Sequence, residues 1–353
     1  MAEAKKGLCK TAPNPAVGAV LVRNDRLLAR GFHRKAGLPH AEIVALRKIK
    51  NPRGATLYVT LEPCCHLKKR TPPCTDALIQ AGLKRIVVGT LDANPKVLGK
   101  GVQKLRGAGI KVDVLRQKAC EEINTYYNYW MKTGRPWVLM KAAVSLDGRV
   151  ALSDGRSQWI TSEAARRRVH ELRSQVDGIL VGIGTVLRDD PTLNVRLAKK
   201  SKQPIRILWD PELTVPLSAK ILSKKNAGPT WILTSKKKSP NSKVKKLAAR
   251  GAEIIYVPSP LGKKIPAKKI LNLLGRRGIQ SLLLEGGPGI WTQFHREKAV
   301  QELCLFVAPK ILGGDGLAWI GALKKKSLPV ASEWKLFSLE KICPDLLLRW
   351  RLP

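Results

Sequence analysis

The chain has 353 residues, 44% of them hydrophobic, which is enough for two domains with cores of their own. Seven scattered or locally clustered cysteines exclude a disulfide framework and suit a reducing compartment. With no signal-peptide-like N-terminus and no run of about eighteen apolar residues, a soluble, cytoplasmic protein with no membrane partner is expected.

The charge is formally +39, from 65 Lys+Arg against 26 Asp+Glu, and such a field attracts polyanions. The lysines run from end to end, as at 236–238, 245–246 and 324–326, and aromatic residues do not interleave with them as a base-stacking platform requires. A nucleic-acid-binding protein is therefore the alternative reading, and phosphorylated small molecules are the preferred partners.

In chain order, VGAVLV (17–22) reads as a strand, His40 to Ile49 as a helix and ATLYVT (55–60) as a strand. Asp76 to Ala81 is a helix closed by Gly82, RIVVG (85–89) a strand, Val102 to Ala108 a helix closed by Gly109, and Ile110 to Leu115 a strand. This alternation predicts a mainly parallel sheet covered on both faces. A helical stretch from Cys120 to Lys132 leads to Thr133-Gly134-Arg135-Pro136, the expected linker between domains at 1–132 and 137–353.

The second domain restarts with WVLMKAAV (137–144), a turn at 145–148, and a helix from Glu163 to Ser174 capped by Thr161 or Ser162. GILVG (178–182), IRILWD (205–210), TWILT (230–234), EIIYV (253–257) and SLLL (281–284) read as strands. Helices at Ser242 to Arg250 and at Lys268 to Leu274, the latter closed by Gly275, separate the later ones.

Chemistry concentrates first in His40-Ala41-Glu42, followed by Pro63-Cys64-Cys65 and Pro73-Cys74. One imidazole and two thiolates make a three-ligand zinc set with an open fourth position. A glutamate two residues from the histidine is placed to move protons there. The pattern follows the zinc-deaminase signature, except that nine residues separate Cys64 from Cys74 where two are usual. A closed structural zinc knot is the competing reading, with Cys65 or His66 as a fourth ligand. Anchoring on Pro63 selects Cys64 as the second ligand, whereas counting back from the RTPPC segment (70–74) selects Cys65; Cys64 is expected.

In the second domain, Gly182-Ile183-Gly184 lacks the third glycine of a dinucleotide fingerprint, with Leu187 in its place. Gly182 to Thr185 and Glu285 to Gly289 are strand-to-turn junctions whose glycines let backbone amides approach a phosphate, or make simple tight turns. His170 and His295 lie on basic stretches and are expected to be solvated.

TAPNPAVGAV (11–20), GFH (31–33), AGLPHAE (36–42), LEPCCH (61–66), RTPPC (70–74) and DANP followed by GKG (92–101) resemble the bifunctional riboflavin-biosynthesis deaminase/reductase family. KAAVSLDGR (141–149), SQWITS (157–162), GTVLRDDPTLNVR (184–196) and LEGGPG (284–289) are similar to its reductase half, so the resemblance covers nearly the whole chain. Two departures stand out: RTPPC lies one residue further from Pro63-Cys64 than the family pattern, and MAEAKKGL supplies two helical turns at most where the family has a full helix.

The resemblance implies a cytidine-deaminase-like three-layer α/β/α domain followed by a dihydrofolate-reductase-like α/β domain. It implies zinc on His40, Cys64 and Cys74, with Glu42 as proton shuttle. Asn14, an amide in a rigid loop between two prolines, is expected to contact the deaminase substrate, with an ordinary Asx turn as the alternative. The resemblance further implies NADPH held by Ala143, Trp159, Thr185, Asp189, Gly287, Pro288 and Gly289, with Asp189 also placed where hydride donor and acceptor meet. Ser157, Arg173, Leu193, Arg196 and Glu285 would contact a phosphorylated ribosylaminopyrimidine, with Arg173 and Arg196 as guanidinium forks for its phosphate. A homo-oligomer is expected.

Overall fold

The structure is a computed structural model and describes residues 1–66, 72–197, 201–225, 227–235, 241–259, 265–324 and 334–352. The lysine run at 236–238, most of that at 324–326 and the first two residues of RTPPC lie outside them. The chain divides into two compact units, Met1–Arg135 and Pro136–Pro353.

Unit one carries strands β1 (Gly18–Arg23), β2 (Arg26–Phe32), β3 (Thr56–Val59), β4 (Arg85–Val88) and β5 (Lys111–Val114). Its helices are α1 (Ala2–Lys5), α2 (Ala41–Leu46), α3 (Cys74–Gln80), α4 (Lys100–Gly107), α5 (Lys118–Glu122) and α6 (Thr125–Thr133). The sheet order is β2-β1-β3-β4-β5. It is mixed, since β1 pairs antiparallel with both β2 and β3, and only β3-β4-β5 run parallel. The expectation of a mainly parallel sheet is corrected here because β2 was not foreseen. Arg26–Phe32 is half solvated and has no continuous apolar run to announce it.

Helices reach both faces of this sheet. Gly18 and Gly31 lie in adjacent rungs of the β1-β2 ladder, so they face opposite sides. A Cβ on Gly18 would strike the backbone of α1, and one on Gly31 the backbone of α2. Missing side chains at these two places let the helices seat directly on the strands. Leu21, Leu57, Ile86 and Val88 from the strands, with Leu78 and Leu105 from α3 and α4, fill the core.

Unit two is built on nine strands in the order β11-β10-β9-β8-β12-β6-β13-β16-β15. These are β6 (Trp137–Ser145), β8 (Gly178–Gly182), β9 (Ile205–Trp209), β10 (Thr230–Thr234), β11 (Ala252–Tyr256), β12 (Ser281–Leu284), β13 (Glu302–Ala308), β15 (Lys335–Ile342) and β16 (Asp345–Arg351). The stretch from β11 to β13 is parallel throughout. The hairpin β15-β16 closes one edge antiparallel. Short strands β7 (Arg149–Ala151) and β14 (Leu317–Ala318) form a separate pair.

Its helices are α7 (Glu163–Ser174), α8 (Ile183–Asp189), α9 (Asn241–Ala249), α10 (Ala267–Arg276) and α11 (Pro288–Arg296). Of the two expected caps for α7, Ser162 is the one used: its hydroxyl accepts from the Ala165 N–H. Helix α10 runs through Gly275, which does not close it. Met140, Leu180, Ile207, Leu282, Leu284 and Phe294 lie in the core. No described helix is long and apolar enough to cross a membrane.

Candidate active sites of the two units

The first site forms where two helix starts meet the end of a strand. His40 is the N-cap of α2 in extended backbone, Glu42 lies in that helix's first turn, and Cys74 opens α3 immediately after Pro73. Cys64 sits in the loop after β3, tied to α3 by the Thr75 N–H donating to its carbonyl at 3.2 Å. Cys64 Sγ lies 3.5 Å and Cys74 Sγ 3.3 Å from His40 Nδ1. The Cys74 N–H donates to Cys64 Sγ at 3.4 Å. All three donor atoms fall within 4.8 Å of one another, and Cys65 is not of the group. One nitrogen and two sulfurs at this spacing fit zinc, and the start of α3 favours thiolate at Cys74.

Glu42 is 3% exposed, and its Oε2 has no hydrogen-bond partner among the described residues. A bare carboxylate oxygen in a buried site is costly unless a ligand or water completes it. Burial pushes its carboxyl above the ordinary range, the Cys64 thiolate adds to that, and His40 opposes it.

Asn14 reaches the same site through His33. The Pro39 carbonyl can only accept, so His33 Nδ1 donates to it at 3.1 Å and Nε2 is left to accept from Asn14 Nδ2 at 3.0 Å. The His33 ring stands edge-on to that of His40, with centroids 5.0 Å apart. Burial holds His33 below its ordinary value.

In unit two, β8 and β12 are neighbours, and both expected glycine junctions lie at their carboxyl ends. Thr185 is in the first turn of α8, Gly287 is the N-cap of α11 with Pro288 at its first position, and Thr185 Oγ1 lies within 4 Å of where a Gly287 Cβ would be. Two helix starts side by side at strand ends make an anion cradle.

Arg173 does not present the free fork expected of it. Its Nε and Nη2 each donate at 2.7 Å to the Glu285 carboxylate, and its Nη1 donates to the Asn194 carbonyl at 3.2 Å. Arg173 lowers the Glu285 carboxyl against burial, which would raise it. Arg196 is exposed, and its Nη1 donates to Thr192 Oγ1 and Asn194 Oδ1, both at 3.0 Å. Leu193 is buried with φ +51°.

Asp189 ends α8 and is exposed; burial of its neighbourhood raises its carboxyl, with Arg188 opposing. Ser157 and Trp159 lie in the loop before α7, where the Arg166 guanidinium stands 4.5 Å over the Trp159 ring and Lys310 Nζ donates to its carbonyl. Ala143 shares a face of β6 with Lys141.

Sequence reasoning missed three groups. Lys141 lies on β6 level with Glu285, because Leu284 pairs with Met140 one residue earlier. Burial draws its ammonium below the ordinary lysine value, Glu285 opposes, and Arg173 adds. Arg206 is buried on β9. For both, the available signal was a lone cation inside an apolar strand of a parallel sheet. His170, expected to be solvated, is buried on α7 instead, and its Nδ1 accepts from the Arg196 N–H at 3.3 Å. The helix turns one face inward however basic its neighbours are.

Residues 1–90 match the family model of the cytidine and deoxycytidylate deaminase zinc-binding region, and residues 136–348 match that of the RibD C-terminal domain. The second match alone spans more than half of the chain. The chain belongs to the RibD family. The riboflavin biosynthesis protein RibD of Aquifex aeolicus is 44% identical over 98% of this chain and 94% of its own length. That of Escherichia coli is 37% identical over 98% and 95%. Solved RibD from Acinetobacter baumannii superposes with a TM-score of 0.89 at 37% identity, covering 100% of this chain and 96% of that one. The deaminase/reductase from Thermotoga maritima gives 0.86 at 34% identity, with the same coverage.

As a RibD-family protein the chain is a bifunctional enzyme of riboflavin biosynthesis, with a cytidine-deaminase-like zinc-binding unit and a dihydrofolate-reductase-like reductase unit. The nucleic-acid-binding alternative is not favoured, since the likeness runs through the reductase region as well as the deaminase region.

Proposed function

We propose that unit one hydrolytically deaminates 2,5-diamino-6-ribosylamino-4(3H)-pyrimidinone 5′-phosphate and that unit two reduces the resulting 5-amino-6-ribosylaminouracil 5′-phosphate with NADPH. The two activities of the Thermotoga maritima relative, a diaminohydroxyphosphoribosylaminopyrimidine deaminase and 5-amino-6-(5-phosphoribosylamino)uracil reductase, support this choice of substrates. The observation that carries the first half is the His40, Cys64 and Cys74 donor set beside the unpartnered Oε2 of Glu42.

His40 Nδ1, Cys64 Sγ and Cys74 Sγ would hold zinc, which when bound activates water for attack at neutral pH. Glu42 takes the attacking water's first proton and delivers it to the ring nitrogen as the C–O bond forms, then takes the second from the new hydroxyl and passes it to the amino group as the C–N bond breaks, the carbonyl forms and ammonia leaves. Asn14, with its Nδ2 committed to His33, offers Oδ1 as an acceptor to the substrate.

In unit two, Thr185 and Gly287 to Gly289 would cradle the nucleotide phosphates, with Ala143, Trp159 and Asp189 contributing to the rest of the NADPH site. NADPH, when bound there, would supply the hydride for reduction at the ribosyl C1. As the bond from C1 to the ring oxygen breaks, that oxygen needs a proton, and Lys141, held beside Glu285 and Arg173, is the group placed to give it. Arg196 faces solvent and suits the substrate phosphate. Ser157, Leu193 and the Arg173–Glu285 pair would line the rest of the substrate site.

A coupled assay with added zinc and NADPH tests the scheme. Glu42→Gln should stop ammonia release yet oxidise NADPH when given the deaminated intermediate, and Asp189→Ala should do the reverse. A wild-type protein that leaves NADPH unoxidised with that intermediate would remove the reductase half.

A further inference from the structure

Arg206 lies outside every contact assigned above. It is 2% exposed as the second residue of β9, and its Nε has no hydrogen-bond partner among the described residues. Burial alone draws it down to about 10. A guanidinium enclosed in this way costs free energy that an apolar side chain of the same volume avoids.

Its side-chain hydrogen bond to a neighbouring loop shows where it acts. Nη1 donates to the Thr192 carbonyl oxygen at 3.4 Å. The Thr192 hydroxyl in turn accepts from Arg196 Nη1 at 3.0 Å and donates to Asn194 Oδ1 at 2.8 Å. The segment carrying these groups is held from three sides: Arg206 at the Thr192 carbonyl, Arg173 at the Asn194 carbonyl, and His170 at the Arg196 N–H. Leu193, at its centre, has a left-handed backbone that a leucine adopts only under constraint. A strained segment keeps its shape only while such holds persist.

We infer that Arg206 is a positioning residue for the substrate's phosphate: it fixes Thr192, and Thr192 fixes the Arg196 guanidinium that meets the anion. The inference rests on the reading of Arg196 given under the proposed function. Arg206 is too buried to touch substrate, so it acts on affinity for the phosphorylated substrate and leaves NADPH binding alone.

Arg206→Met, Arg206→Lys, Thr192→Val and the Arg206→Met/Thr192→Val double variant are compared by steady-state kinetics, calorimetric binding of 5-amino-6-ribosylaminouracil 5′-phosphate, and thermal melting. Arg206→Met should raise the KM and Kd for that substrate about tenfold, the scale of one charge-assisted hydrogen bond, with the KM for NADPH unchanged. Melting should hold or rise, since methionine relieves a buried charge. Lysine needs only one donor to reach the carbonyl and should restore affinity to within about threefold. The double variant should be no worse than the poorer single one, because both cut the same chain of contacts.

An Arg206→Met enzyme with unchanged substrate KM overturns the inference. So does one whose melting point and kcat fall while both KM values rise together, which marks a merely structural arginine. Wild type that neither binds nor reduces the substrate sinks the functional reading and this inference with it. An active wild type beside an unaltered variant overturns the inference alone.

Discussion

Lys141 occupies a place that a strand in the middle of a parallel sheet ordinarily gives to an aliphatic side chain. The stem can pack there, but the ammonium is desolvated and falls below its ordinary value, 10.5, with Glu285 limiting the drop. An acid whose pKa approaches the working pH gives up its proton more readily in a transition state. Lys141→Met should therefore cut NADPH oxidation by roughly 10²–10⁴-fold while ammonia release continues. In the wild type the reductase rate should fall as pH rises through the lowered lysine value. An alkaline limb that persists unchanged in Lys141→Met would assign that titration elsewhere.

Asp92 carries a second residue-scale prediction. Its carboxyl accepts from the Asn94 N–H at 2.8 Å and the Tyr127 hydroxyl at 2.9 Å, yet burial outweighs both and pushes it up to about 6 from 3.8. The folded state thus holds this proton more tightly than the unfolded one. The stabilisation is complete below 3.8 and lost as pH rises to about 6, a swing of roughly 2–3 kcal/mol at most. Asparagine keeps an acceptor for both donors without titrating. In urea unfolding, Asp92→Asn should gain on the wild type between pH 4 and 7, and a gap that stays flat over that range would refute the assignment.

At the scale of elements, local pattern and tertiary position contribute differently. Strands buried on both faces, such as β8 and β12, announce themselves as unbroken apolar runs. β2 and β15 are solvated along much of their length and leave no such mark. The His40, Glu42 and Cys74 positions were legible because each sits at a helix start that the sequence signals. The choice between Cys64 and Cys65 was legible only through Pro63, since counting back from RTPPC points to Cys65 and adjacent side chains differ only in which way the loop turns them. The geometry puts Cys64 Sγ within the donor cluster.

Helix α2 also shows how an element carries a site. It rests on β2 at Gly31, where an added Cβ would stand 2.2 Å from the Ala41 carbonyl oxygen and 2.6 Å from the Ala45 nitrogen. Both atoms belong to helix backbone, so no rotamer change can make room. Gly31→Ala must push α2 outward and carry His40 and Glu42 away from the two sulfurs. Zinc content by plasma mass spectrometry should fall well below one per chain, ammonia release should drop at least tenfold, and NADPH oxidation with the deaminated intermediate should continue. Full zinc occupancy in this variant would show that α2 tolerates the shift.

At the scale of the whole molecule, the edge of the nine-stranded sheet remains to be accounted for. Among the described residues β15 pairs on one side only, and Leu336, Phe337 and Leu339 along it are each about half exposed. The guanidinium groups of Arg349 and Arg351 stand over the Phe337 ring. A long apolar edge strand left open invites pairing with another chain, and natural proteins cover such edges or break them with inward charge. Here β15 keeps three large apolar side chains over eight residues, and we propose that a second copy of the chain covers them. Size-exclusion chromatography with light scattering should give at least twice the chain mass of 38.9 kDa. Leu336→Lys together with Leu339→Lys should shift the population towards monomer while each unit keeps its fold. If the wild type runs as a monomer at micromolar concentration, β15 is an edge that the protein tolerates exposed, and the oligomer proposal falls.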